Sequence, residues 1–143
     1  MLMRALHRLL RPKYGKGWVS YKGRKMEVHL ADSFAAMMFG LMYWDRLEKG
    51  KGMLFVLRRP GREFAGIWML NVKFPIDIVW IGDDQRVVDI VGNAKPCKSI
   101  FKCKMHVPRE KAKYVLELNA ESARKLGMKT GERIGIKAHP GRN

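Results

Sequence analysis

Asn71 and Asp77 are the two polar side chains set inside the most apolar stretch of this chain. Around them run Gly52-Met53-Leu54-Phe55, Ile67-Trp68-Met69-Leu70 and Phe74-Pro75-Ile76, with Ile78-Val79-Trp80-Ile81 just beyond. A carboxyl group among apolar neighbours is costly unless it is paired or hydrogen-bonded. Asp77 could therefore serve as an acid or base with a displaced pKa, or hold a ligand hydroxyl. The plainer reading is that it satisfies backbone amides of a nearby turn, such as 71–74. Asn71 carries the same pair of readings, because asparagine favours turns and left-handed backbone. Met42, Trp44 and Trp68 complete a candidate small-ligand pocket with Asn71 and Asp77. Large aromatics and methionines also serve simply as core, and Trp44 is the aromatic expected to stay partly exposed.

Cys97, Cys103 and His106 form a second group, spaced C-x5-C-x2-H. A closed structural zinc site needs four protein ligands, and His7, His29 and His139 lie elsewhere in the chain, so no metal is expected. The cysteines read first as free thiols in a loop, with neighbouring lysines favouring the thiolate. A Cys97–Cys103 disulfide is the alternative, of the kind found inside hyperthermophile cells. No Ser/His/Asp order, phosphate-cradling glycine loop or dinucleotide fingerprint is present. No catalytic residue and no cofactor are assigned, and an enzyme is not the expected class.

Charge supplies the strongest functional signal. Twenty-nine basic residues against thirteen acidic ones give a net charge of +16. Arg4, Arg8 and Arg11 precede the first acid, Glu27, and a second basic run holds Lys95, Lys98, Lys102, Lys104 and Arg109, opposed only by Glu110. Between them, Asp77, Asp83, Asp84 and Asp89 form a locally acidic stretch. Such a partition predicts a binding module for a polyanion, with nucleic acid first. A small-ligand or weakly catalytic pocket around Trp68, Asn71 and Asp77 is the alternative, and a scaffolding role with a protein partner is a third. No run approaches the roughly 18 apolar residues of a membrane span, and no secretory segment is visible, so a cytoplasmic protein is expected.

The elements that must position these groups are short. Residues 1–11 predict a helix that Pro12 ends, packing Leu2, Leu6 and Leu9 on the body. Strands are expected at 18–21 and 25–30 around a Lys22-Gly23-Arg24 hairpin, then at 53–57, 63–70, 76–81, 86–91, 113–118 and 133–137. Asp32 or Ser33 caps a helix beginning at Phe34, and a second helical turn is expected at 41–47. Residues 93–113 read as a long irregular loop. Asn119 is expected to cap a helix at 121–126 that Gly127 ends in the left-handed conformation. In the strand at 76–81, alternation sets Asp77 with Val79 and Ile81, opposite Ile76, Ile78 and Trp80. The sum is a mostly-β to α+β fold: a compact, barrel-like antiparallel domain over 18–143 behind a basic N-terminal segment, 1–17.

Several of these residues also carry a resemblance. Gly40-Leu41-Met42, Gly52-Met53-Leu54-Phe55, Trp68-Met69 with Asn71, and Pro75-Ile76-Asp77-Ile78 follow one another in order. Tyr114-Val115-Leu116-Glu117-Leu118 and the pair Gly127 and Gly131 complete the set. From about 28 to 136, the chain resembles the family catalogued as domain of unknown function 192. The resemblance implies a small strand-rich fold and assigns no activity. Trp44 stands where the family pattern has arginine, Leu70 where it often has lysine, Val72 where it has threonine, and Glu132 where it has aspartate. Chemistry that used that arginine or lysine would be missing here.

Overall fold

A strand buried at every position needs both faces of its sheet covered. The strand β5 (Ile76–Ile81) is of this kind, buried at all six positions. In the computed structural model, which describes residues 1–138, it lies within a seven-stranded sheet. The other strands of that sheet are β1 (Gly15–Tyr21), β2 (Arg24–Ala31), β3 (Gly52–Gly61), β6 (Val87–Ala94), β8 (Ala112–Asn119) and β9 (Gly135–Ala138). Their order is β6-β5-β8-β3-β2-β1-β9. A separate two-stranded ribbon pairs β4 (Ile67–Trp68) with β7 (Met105–His106). Three short helices complete the fold: α1 (Leu2–Leu10), α2 (Phe34–Phe39) and α3 (Ser122–Leu126).

The expected alternation in β5 holds. Ile76, Ile78 and Trp80 join one apolar cluster with Leu41, Met53 and Phe55, on the face carrying α2 and the segment after it. Val79 and Ile81 join the other, with Leu54, Leu116, Ala123 and Met128, on the face carrying α3. A third cluster, Phe39, Met42 and Leu70, draws in Met3 and Leu6 of α1 together with Tyr43, Trp68 and Cys103.

Local signals produce the expected turns and caps. Lys22 (φ 47°) and Gly23 (φ 78°) are both left-handed, as a tight two-residue hairpin with the twist of its strands requires. The Ser33 hydroxyl oxygen accepts from the Ala36 amide at 3.2 Å and starts α2. Gly127 (φ 70°) ends α3.

Five expectations are corrected. The mostly-β, α+β class stands, but the sheet is not closed into a barrel. Its outer strands β6 and β9 share no ladder, and an isolated bridge between Arg86 and Arg133 joins the turns that precede them. The sheet is also not wholly antiparallel. β2 and β3 run parallel, because residues 32–51, with α2, form the long crossover that such a pair needs. Residues 63–70 are not one strand: Glu63–Ala65 form a 3-10 turn, held where the buried Trp80 indole donates to the Ala65 carbonyl at 2.8 Å. Residues 41–47 are not helical, since left-handed Tyr43 (φ 69°) turns its amide away to the Asn71 carbonyl, 3.0 Å distant. β1 begins at Gly15, ahead of the strand expected from 18, and pairs that residue with Leu30. The last residues assigned to the expected domain, 139–143 and with them His139, lie outside the described residues.

The cap of α3 comes from across the sheet rather than from Asn119, whose side chain donates instead to the Leu47 carbonyl at 2.9 Å. Asp77 Oδ2 accepts from the Ala123 amide at 2.8 Å. Its Oδ1 accepts from Asn93 at 2.9 Å and from Glu121 at 3.2 Å. Ala123 is the second residue of the helix, the position whose amide a capping oxygen normally meets. One buried carboxyl thus ties β5 to α3 and to the end of β6.

Replacing Asp77 with alanine removes three backbone hydrogen bonds at once and leaves those amides without their acceptor. The expected loss is about 3–5 kcal/mol of unfolding free energy, and Asp77→Asn, which keeps one acceptor oxygen, should fall between. Urea denaturation of the three proteins measures this, and an Asp77→Ala change below about 1 kcal/mol would contradict the capping role.

Candidate functional site

The two basic segments, far apart in sequence, meet around Tyr43. On α1, Met3 and Leu6 enter the third apolar cluster, while Leu2 and Leu9 stay 73% and 75% exposed. The inward face is therefore Met3, Leu6 and His7, one residue round from the leucine stripe expected. The His7 ring meets Phe39 and Tyr43 edge-on at 5.0 and 5.1 Å. The Arg4 guanidinium lies over the Tyr43 ring at 4.7 Å, a cation–π contact. Arg8 and Arg11 are exposed on the same helix and its end.

From the other side comes the loop after β6. Cys97 and Cys103 are joined by a disulfide, with Cα atoms 5.6 Å apart, so neither thiol is free. The Cys97 amide donates to the Met69 carbonyl and its own carbonyl accepts from the Asn71 amide. Cys103 packs in the third cluster beside the residues that hold α1. Lys95, Lys98, Lys102 and Lys104 all point to solvent from this stapled loop. Lys98 lines an open cavity of about 500 Å³ together with Tyr43, Asn71, Val72, Lys73 and Pro96. Arg109 does not join the group: its amide donates to Asp89 at 3.0 Å, and its guanidinium pairs with the same carboxyl at 3.7 Å.

The small-ligand site expected around Trp68, Asn71 and Asp77 is not assembled. Asp77, 1% exposed, faces α3, and its oxygens are occupied by backbone amides. Asn71 lies at the Tyr43 cavity, left-handed at φ 57°, with its side-chain amide donating to the Tyr43 hydroxyl at 3.2 Å. Met42 and Trp68 line a different cavity, beneath α2. Trp44 is half-buried, set edge-on to Tyr14 at 5.2 Å and to His29 at 4.8 Å.

Sequence reasoning passes over Glu117, which enters only within the family-like motif. On β8 it stands opposite Met53 of β3 and Ile78 of β5, so it shares their face. It is 4% exposed, lines the cavity beneath α2, and its Oε2 has no hydrogen-bond partner among the described residues. Burial lifts its carboxyl from the ordinary 4.5 to about 8. The His29 ring, opposite Met53 on the far side, also has its Nε2 unpartnered, and burial lowers its pKa. Tyr14 is pushed up to about 12, first by burial and further by the nearby Glu117, against the contact with Trp44. The sequence signal was present: an acid at an inward position in a strand buried on both faces.

Among the described residues, no group of three His, Cys, Asp or Glu could hold a metal ion. No helix among them is long and apolar enough to cross a membrane.

Comparison with known proteins adds family and fold. A family model for domain of unknown function 192, described as "Uncharacterized ACR", matches residues 18–136. A UPF0127 protein of Thermococcus gammatolerans is 31% identical over 79% of this chain and 69% of its own. One of Pyrococcus furiosus is 27% identical over 77% of this chain and 86% of its own. Among solved structures, a Sinorhizobium meliloti protein provisionally described as a transcription regulator superposes with a TM-score of 0.76 at 32% identity. That match covers 87% of this chain and 95% of the other. A Novosphingobium aromaticivorans protein of unknown function gives 0.71 at 29% identity, covering 85% and 84%.

The buried acid has a pH signature. Its folded-state pKa lies above the ordinary value, so the folded protein holds the proton more tightly than the unfolded chain. The resulting stability is complete below 4.5 and is lost as pH rises to about 8. Over that window Glu117→Gln should gain on the parent, by up to about 1.4 kcal/mol per pH unit. Denaturant titrations of both proteins across the range check this, and parallel profiles would rule out a proton held by Glu117.

Proposed function

Because this chain belongs to the domain of unknown function 192 family, whose match over residues 18–136 carries no activity with it, we propose a function from its own geometry: recognition of a polyanion, with nucleic acid as the favoured partner. The carrying observation is the third apolar cluster, in which Met3 and Leu6 of α1 pack with Tyr43 and the stapled residue Cys103. Arg4 of α1 and Lys98 of the stapled loop both lie at Tyr43, and on this reading the remaining arginines and lysines of these two segments flank the same surface. No ion pair among the described residues engages Arg8, Arg11, Lys95, Lys98, Lys102 or Lys104, whereas Lys16, Lys22, Lys51, Lys73, Arg109 and Arg124 are each paired with an acid. Unpaired exposed cations around an aromatic and an open cavity suit phosphate contacts with a base or sugar beside them. The disulfide supports the same reading, since it fixes the spacing of the loop lysines before any partner arrives. The provisional description of the Sinorhizobium relative as a transcription regulator points the same way.

Fluorescence anisotropy with labelled single-stranded RNA, single-stranded DNA and duplex DNA, titrated with salt, is the test. Affinity should fall linearly in log–log form as salt rises, because each phosphate contact releases a counterion. Neutralising Arg4, Arg8, Lys98 and Lys102 together should weaken binding at least about tenfold and flatten the slope by about one for each lost phosphate contact. Neutralising four paired residues, Lys22, Lys73, Arg109 and Arg124, should do much less. Absence of binding to all three probes at low salt, or equal losses in the two variants, would refute the assignment.

A further inference from the structure

Glu117 is not accounted for by the basic surface. It lines instead the inner of two neighbouring chambers beneath α2. The inner chamber, about 240 Å³, has Glu117 in its wall with Leu41, Met42, Trp68 and Val72. The outer one, about 450 Å³, widens towards Phe34, Leu57, Phe64 and the arginines at 58 and 59. Met37, Met38, Phe55, Gly66 and Ile67 line both chambers. At the mouth, Phe34 and Phe64 remain 71% and 56% exposed, so none of the described residues covers this apolar surface.

We propose that these chambers form a binding site for a small, uncharged, largely apolar molecule with one hydrogen-bonding group, which meets the Glu117 carboxyl in the inner chamber. Three observations carry the assignment. Glu117 lines the inner chamber almost fully buried, its Oε2 has no partner among the described residues, and leaving such an atom unsatisfied is unfavourable unless a visitor completes it. All the other side chains in the inner chamber are apolar apart from the Trp68 indole, so a ligand anion would find no counter-charge there. Arg58 and Arg59 at the outer end oppose the entry of a cation, and Arg59 lies over the Phe64 ring at 5.6 Å. What remains compatible is an alcohol or a similarly neutral head on an apolar body. Flexible methionines let the wall fit chains of different shape. The site lies apart from the Tyr43 cavity and its lysines, so it stands or falls independently of nucleic-acid binding.

The experiment uses the full chain with methyl-labelled methionine and three probes of equal length: octanol, octanoate and octylammonium. Octanol should shift the methyl resonances of Met37 and Met38 saturably. Glu117→Gln, which keeps a donor and an acceptor, should bind within a few-fold of the parent. Glu117→Leu, which removes both, should bind at least about tenfold more weakly. Ile67→Trp, which adds bulk at a residue lining both chambers, should abolish the shifts while leaving the rest of the methyl spectrum dispersed. Octanoate and octylammonium should bind more weakly than octanol. Failure of octanol to bind the parent, or undiminished binding by Glu117→Leu, would overturn the proposal. So would tighter binding of octylammonium, which would make Glu117 a cation site, or of octanoate, which would place the ligand on the arginines.

Discussion

Burial of the central strands on both faces governs everything else in this molecule. β5 and the middle of β8, residues 115–118, have no solvent side on which to put a polar residue, so the acid each carries must be met from above or below. Asp77 and Glu117 stand one register position apart on these neighbouring strands, Asp77 beside Leu118 and Glu117 beside Ile78. That single step sends them to opposite faces. On one face Asp77 is met by three backbone amides and becomes the cap of α3. On the other, Glu117 meets a cavity. The first acid is explained by architecture, while the second keeps an oxygen with no partner among the described residues.

Much of this was legible because it is local. The hairpin at Lys22-Gly23, the cap at Ser33, the left-handed Asn71 and Gly127, and the alternation through β5 all depend on a few adjacent residues. What could not be read depends on which strands become neighbours. Nothing near residues 32–51 signals that the crossover returns β3 parallel to β2. Residues 63–70 have the composition of a strand, yet Trp80, far along the chain, captures the Ala65 carbonyl and breaks them. Asp77 was singled out for its apolar setting, but the amides that satisfy it come from residues 93, 121 and 123. Glu117 is legible as an acid within the apolar run 115–118, but its burial depends on other elements covering both faces of β8.

The basic surface shows the same dependence on distant contacts. A charge count announces cations without saying where they gather. Here Tyr43 does the gathering: Arg4 and His7 lean on its ring, Asn71 donates to its hydroxyl, and its amide is bound by the Asn71 carbonyl. Asn71 in turn is bonded to the Cys97 carbonyl, at the foot of the stapled loop. α1, the crossover and the lysine loop are therefore linked through one tyrosine and one asparagine.

The seam between the outer strands has a further consequence. Arg86 and Arg133 are partners at its isolated bridge, and the Arg86 guanidinium donates to the Gly131 carbonyl at 3.0 Å. A few backbone bonds hold the place: Val87 to the Glu132 carbonyl, Gly131 to that of Val87, and Ile134 to that of Gln85. The outer strands are thus held together along one line by isolated bonds rather than by a ladder, and transient opening there needs none of the buried central strands to part. Hydrogen exchange at the Val87 and Ile134 amides should consequently run ahead of exchange in β5 and β8, marking where the molecule loosens first.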